Sequence, residues 1–446
     1  MTDDLRKAVE AVLPSVRADL DALIRIPSIS ADPGSAEVMR QSAETVANLF
    51  RAVGSPDVQI LDDLEGGQPA VVAHYPAPPG QPTIVLYAHH DVQPTGDPDG
   101  WTSPPFEPTV RGGRLYGRGS SDDKAGIAVH LAALRAFDGK PPIGVTVFIE
   151  GEEEIGSPTL GPFLERHKDK IAGDVIVIAD SGNYDVGIPT LTTSLRGLVD
   201  VYVEVRTLNH GVHSGQYGGA APDALTALAR ILATLHDEDG NVAIEGLVTA
   251  KTPEVEYPED RFRAESALAD GVQLIGSGTL AERLWAKPTA SVLALDTTRV
   301  ADASNTLIPV ARAKVSVRLA PGDDALRARK ILAEHLANHA PWGAQVTVRE
   351  GDAGEPFALE ASGPAYDAMR AAFREGFGVD SVEMGMGGSI PFIAAYSANF
   401  PNAEILCVSA GADPDTRAHG LDESLLLADF EKAAISEALL LAKLAR

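Results

Sequence analysis

A chain of 446 residues, 44% hydrophobic and 22% charged, reads as a soluble globular protein too long for one ordinary core, so two domains are expected. The formal net charge of −26 argues against binding nucleic acid, which needs clustered Lys and Arg. Cys407 is the only cysteine, which excludes an intrachain disulfide and points to a buried, inert thiol.

The opening MTDDLRKAVEAVL has neither the basic nor the apolar region of a signal peptide, and no apolar run approaches the 18 residues of a membrane span. A cytoplasmic location with no membrane partner is the expectation. Leu5, Val9, Val12, Val16, Leu20 and Leu23 recur at helical spacing and predict a first amphipathic helix. A second is expected over 36–53, stopped by Gly54.

Runs at 83–88, 143–149 and 174–179 are short, β-branched and nearly all apolar, as buried strands of an α/β sheet are. Ile127, Leu131 and Leu134 mark a helix between the first two, completing a βαβ grammar. Near Arg196 the grammar changes. An alternating strand over 198–205, a helix over 222–237, a strand over 313–319, a helix over 324–338 and a strand over 345–349 form a small α+β domain with helices on one face. The 245–283 stretch reads as its irregular excursion. From Pro356 the first pattern resumes, with a helix over 364–377, a strand over 404–409 and a final helix from Leu421. The expected organisation is a discontinuous α/β domain at 1–194 and 355–446 with an insertion at 195–354.

Each buried run ends on acids or histidine. His89 and Asp91 follow the first, Glu152–Glu154 the second and Asp180 the third, with Asp122 and Asp123 between them in YGRGSSDDKAG. In an open α/β sheet the carboxyl ends of neighbouring strands meet at one crevice, where ligands bind. Carboxylates gathered there repel, so a cation or a raised pKa must hold them. His89 and Asp91, two apart on an extended segment, share a face, which suits an imidazole ligand whose other nitrogen donates to a carboxylate. Alone, each of these groups is more often a strand-end hydrogen bond or a solvated charge run than a metal ligand. His419, in a loop after the 404–409 strand, completes a set of two histidines and three carboxylates, one able to bridge. That set matches two borderline divalent ions, Zn²⁺ foremost with Mn²⁺ or Co²⁺ as alternatives.

The motifs YAHHDVQP, YGRGSSDDK, EGEEEIGS, the Asp after IVIA, HSGQYGG, NTLIP with SVRLAP, GGSIP and the late AHG together resemble the co-catalytic dinuclear zinc peptidases. That family includes carnosinases, aminoacylases, carboxypeptidase G, acetylornithine deacetylase and succinyl-diaminopimelate desuccinylase, and the likeness is to the carnosinase-like dipeptidase branch. It covers nearly the whole chain. It implies a three-layer α/β catalytic domain with an inserted, ferredoxin-like lid and dimerisation domain. Asp122 would bridge two metals, His89 and Asp180 completing one and Glu154 and His419 the other. Glu153 would be the general base and Asp91 would orient His89. The resemblance also implies a cis peptide between Asp122 and Asp123. His213 would be a lid histidine that reaches the partner subunit's active site in a homodimer, with the 198–205 strand as the pairing edge. Asn305, Thr306, Arg318, Gly388 and Ser389 would bind the substrate's terminal carboxylate, helped by the free N–H groups of a Gly-rich turn before Pro391.

Three positions depart from the pattern or vary within it. Met386 stands where many relatives have glutamate, removing a contact to a substrate amine. Ala125 replaces a glycine. Asp180 is aspartate, as in di- and aminopeptidase members, where deacylases tend to glutamate. The implied activity is hydrolysis of dipeptides or other short peptides with a free C-terminal carboxylate. An N-acyl-amino-acid amidohydrolase on the same scaffold is the competing reading, and an inactive metal-stabilised binding protein is a third.

Overall fold

The computed structural model describes residues 2–388 and 390–445. They divide into two compact units. The first runs up to Thr193 and takes in Leu359–Met384 and the chain from Ile390 on. The second is Ser194–Ala358 with the short stretch that opens at Gly385.

The first unit is built on a mixed sheet. In spatial order its strands are Asp57–Leu61, Ala70–Tyr75, Gly144–Glu150, Thr83–His89, Val175–Ser181, Glu404–Ser409 and Thr190–Leu195, whose last residues enter the second unit. The middle four pair in parallel, and antiparallel neighbours flank them. Those four are buried almost throughout, which is why they read as continuous apolar runs. Alternate side chains leave on opposite faces. Ile84, Leu86, Ala88, Val145, Val147 and Val177 join one core with helices Thr2–Ile24, Ala36–Ala52, Lys124–Ala136, Pro364–Phe377 and Leu427–Leu444. On the other face Tyr87 stacks on Phe392 of helix Pro391–Asn399 at 4.3 Å, and Phe148 on Phe163 of helix Leu160–His167 at 5.1 Å. Register brings the carboxyl ends level: His89 lies opposite Glu150, and Ser409 opposite Asp180.

The final helix starts at Leu427, six positions after the expected Leu421. The intervening residues are otherwise engaged: Ser424–Leu426 pairs with strand Arg114–Tyr116, and Asp422 accepts from the N–H and hydroxyl of Thr102.

The second unit is a four-stranded antiparallel sheet ordered Thr289–Asp296, Val310–Leu319, Gly197–Arg206, Gln345–Gly354. Helices Ala224–Ala233 and Ala325–Asn338 share one apolar core with its strands. The chain order is β-α-β-β-α-β, one strand richer than expected, because Thr289–Asp296 hides behind Pro288 at the end of the irregular excursion. That strand overturns the expected pairing edge. Gly197–Arg206 lies between two partners, so it has no free edge; Thr289–Asp296 and Gln345–Gly354 are the outer strands. Among the described residues, no helix is long and apolar enough to cross a membrane.

Candidate metal centre

The carboxyl edge of the parallel strands carries the acidic motifs. His89, the last residue of its strand, is fully buried. Its Nδ1 lies 3.0 Å from the main-chain oxygen of Asp91 and 3.3 Å from Oδ1 of the same residue, and these acceptors direct Nε2 toward the other acids. Nε2 is 3.1 Å from Oδ1 of Asp122 and 3.9 Å from Oδ1 of Asp180.

The Asp-Asp pair divides its labour. Asp123 caps helix Lys124–Ala136: Oδ1 accepts the N–H of Gly126 at 3.2 Å, and Oδ2 accepts that of His89 at 3.3 Å. Glycine is needed at 126, since a Cβ there would stand 2.6 Å from the Asp123 carboxylate. The bond between Asp122 and Asp123 is cis, and Asp122 faces the two histidines. Its Oδ2 is 3.0 Å from Nε2 of His419, which lies 3.2 Å from Oε2 of Glu154. Glu154 is held by Gln93, whose main-chain N–H donates to Oε1 at 3.1 Å and whose side-chain amide donates to Oε2 at 2.8 Å.

Two sets of donors lie within 4.8 Å of one another: His89, Asp123 and Asp180, and His89, Asp122 and Glu154. Either set could hold a metal ion. His419 joins the second through the contacts just given. Glu153, half-buried in a single 3₁₀ turn, is the neighbouring carboxyl.

Burial and mutual repulsion dominate the electrostatics. Burial pushes the carboxyls of Asp123, Glu153 and Asp180 well above the usual range, and neighbouring carboxylates push them further: Asp122 acts on Asp123, and Asp180 on Glu153. Burial opposes a charge on His89, yet contacts to Asp122 and Asp91 hold it well above an ordinary imidazole. Asp122 and Glu154 push His419 up to about 10. Six carboxyls, those of Asp91, Asp122, Asp123, Glu153, Glu154 and Asp180, surround two imidazoles, and protons on the rings are the only positive charge the cluster itself supplies. Oxygen and imidazole donors short of positive charge are what divalent ions of the zinc type require, so the residues fit two such ions.

The remaining expected residues belong to the second unit. His213 ends a two-residue strand opposite Thr306, and its Nδ1 accepts the N–H of Gly215 at 3.1 Å. The main-chain oxygen of Asn305 accepts from Ser214 at 2.8 Å, so His213, Asn305 and Thr306 are brought together at an exposed site. Arg318 lies elsewhere, on strand Val310–Leu319 opposite Thr289 and Leu198. Gly388 follows strand Val382–Met386, and Ser389 lies outside the described residues.

Sequence reasoning missed several contributors. Gln93, Ser30, Arg118 and Glu423 brace the cluster in the first unit. In the second, nearly buried Arg196 donates to the Thr289 hydroxyl at 3.3 Å, and burial with the Arg318 charge lowers it to about 10. Only Gln93, two positions after Asp91, carried a local signal.

The family profile described as peptidase family M20/M25/M40 matches residues 85–443. A cysteinylglycine-S-conjugate dipeptidase of Corynebacterium striatum is 37% identical over 94% of this chain and 93% of its own length. The human Beta-Ala-His dipeptidase is 27% identical over 85% of this chain and 79% of its own. The dipeptidase Dug1p of Saccharomyces cerevisiae shares the fold, with a TM-score of 0.84 at 20% identity over 100% of this chain and 98% of its own. A profile match over most of the sequence, with a relative above 30% identity along nearly all of it, places the chain in peptidase family M20/M25/M40.

Proposed function

We propose that this chain is a metal-dependent dipeptidase. One divalent ion would be held by His89, Asp122 and Asp180 and a second by Asp122, Glu154 and His419. The observation that carries this reading is the Asp122 carboxylate, whose two oxygens lie 3.1 and 3.0 Å from Nε2 of His89 and of His419. Asp123 is the less suitable ligand of the first set because its oxygens already serve Gly126 and His89. Zinc suits the mixed imidazole and carboxylate donors best, and Mn²⁺ or Co²⁺ fit the same set.

Bound there, the ions supply Lewis acidity toward the scissile carbonyl. Glu153 takes the proton of the attacking water and returns it to the leaving amine, a task suited to a carboxyl whose pKa is raised. Asp91 keeps the His89 ring oriented. The family resemblance supports His213 as the donor to the developing oxyanion. It also supports Arg318, Gly388 and Ser389 as a cradle for the C-terminal carboxylate, with Asn305 and Thr306, which lie beside His213 and apart from Arg318, as further contacts to it. Arg196, which donates to the hydroxyl of Thr289 directly opposite Arg318, would add a second guanidinium beside it.

Asp180 and the dipeptidase relatives favour dipeptides over N-acyl amino acids. Cysteinylglycine S-conjugates and β-Ala-His are therefore the first substrates to assay. A homodimer paired through the second unit and a cytoplasmic location complete the proposal. The exposed outer strand Thr289–Asp296 supports the former, and a single buried cysteine with no disulfide supports the latter. The deciding experiment is Glu153→Gln, expected to retain metal and lose about 10²–10⁴-fold in kcat. Near-wild-type turnover with metal bound would overturn the mechanism, and a kcat/KM on N-acetyl amino acids above that on dipeptides would overturn the substrate class.

A further inference from the structure

Two buried side chains outside the donor set fasten the loops that carry it. Arg118 and Glu423 are 1% and 0% exposed, and Nη1 of Arg118 lies 2.6 Å from Oε2 of Glu423. Glu423 also accepts main-chain N–H groups: Oε2 from Gly119 at 3.0 Å, and Oε1 from Ser121 at 3.0 Å and Asp122 at 3.2 Å. Its main-chain oxygen accepts from Gly117 at 3.0 Å. Nη2 of Arg118 donates to the main-chain oxygens of Pro94 at 3.2 Å and Gly420 at 3.1 Å.

These bonds join three segments. The first ends in Asp122, the second carries His419 four positions before Glu423, and the third contains Gln93, which grips Glu154. The His419 segment needs fastening. Arg417, His419 and Asp422 have φ of +55°, +62° and +56°, a left-handed backbone that non-glycine residues keep only when their surroundings dictate it. A buried ion pair is a weak source of stability, because desolvation consumes much of its attraction. This pair spends its hydrogen bonds on the loops around Asp122 and His419.

We propose that the Arg118–Glu423 pair is a positioning device for the second ion site. It sets the spacing of Asp122, Glu154 and His419, and so controls how tightly that site holds its ion without touching ion or substrate. The inference rests on the two-ion assignment proposed above.

The test titrates Zn²⁺ into metal-free full-length protein, against a competing chelating indicator, for the wild type, Glu423→Gln and Arg118→Lys. The wild type is expected to take two equivalents. Each variant should hold the second ion about 10–100-fold more weakly, the usual cost of losing an outer partner, and weaken the first, which shares only Asp122 with it, by clearly less. Excess Zn²⁺ should then restore kcat with KM unchanged. Two equivalents bound at wild-type affinity, or both weakened equally, would overturn the proposal while leaving the dinuclear reading intact. A wild type that binds one equivalent would overturn both. Should Glu423→Gln not fold, Arg118→Lys, which keeps the charge but loses the forked donor set, decides by the same outcomes.

Discussion

Asp91 accepts the main-chain N–H of Glu154 at 3.0 Å through the same oxygen that takes the Ser30 hydroxyl at 2.7 Å. Its other oxygen lies 3.3 Å from Nδ1 of His89. One buried carboxylate therefore fixes a proposed ligand on each side of Asp122, His89 and Glu154, and sets the turn on which Glu153 sits. Asp91→Ala is expected to lower kcat/KM about 10–100-fold, with weaker metal retention during dialysis. Unchanged activity and metal content would show that His89 and the Glu153 turn hold their places without it.

Metal uptake should release protons. His419, held up to about 10 by its contacts with Asp122 and Glu154, is charged at pH 7.5 in the metal-free protein. An ion needs the neutral ring, so binding displaces that proton, and affinity rises with pH until the ring titrates. Each released proton strengthens binding about tenfold per pH unit below the ring's pKa. Calorimetric titration of Zn²⁺ in two buffers of different ionisation enthalpy counts the protons. A heat independent of buffer would contradict the protonated resting state.

The outer strand Thr289–Asp296 leaves Val292 41%, Leu293 58% and Leu295 49% exposed. An unpaired edge bearing apolar side chains on both faces invites a second chain. Leu293→Lys should shift the sedimenting mass from dimer to monomer and lower activity in step, since His213 is proposed to act on the partner. A variant that stays dimeric would move the interface elsewhere, and a fully active monomer would remove the trans role of His213.

The parallel core was legible in the sequence because strands buried on both faces have no polar alternation to blur them, and their acidic ends fell beside one another as open-sheet geometry requires. Antiparallel additions were harder to see. Ala70–Tyr75 is a buried run of six residues with no helix to mark a crossover, and Thr289–Asp296 follows an irregular stretch. The edge was misplaced for that reason: a strand's alternation reports which faces are wet, while its position in the sheet depends on strands far away in sequence. The donor types of the centre could be read from the chain, but the fastening around them could not. Arg118 and Glu423 lie 305 positions apart, and only the fold makes them neighbours.

His130 extends the same lesson to stability. Midway along helix Lys124–Ala136, its Nδ1 lies 2.9 Å from Oε1 of Glu437 on the final helix, and Nε2 lies 3.1 Å from the Tyr87 main-chain oxygen. Three buried elements thus meet at one imidazole, whose partners, Glu437 and the Tyr87 main chain, lie outside the donor cluster. Removing the carboxylate with Glu437→Ala leaves a buried polar ring without its partner, a change that costs about 1–3 kcal/mol. Glu437→Gln keeps an acceptor for Nδ1 and should cost less. Denaturant unfolding of the metal-free protein measures both. Because the helix that Asp123 caps begins beside Asp122, a loss confined to stability, with kcat unchanged in the metal-loaded enzyme, would show that this contact anchors the scaffold and leaves the site geometry to Asp91, Gln93 and Glu423. A fall in kcat at full metal loading would instead make His130 part of the site's support.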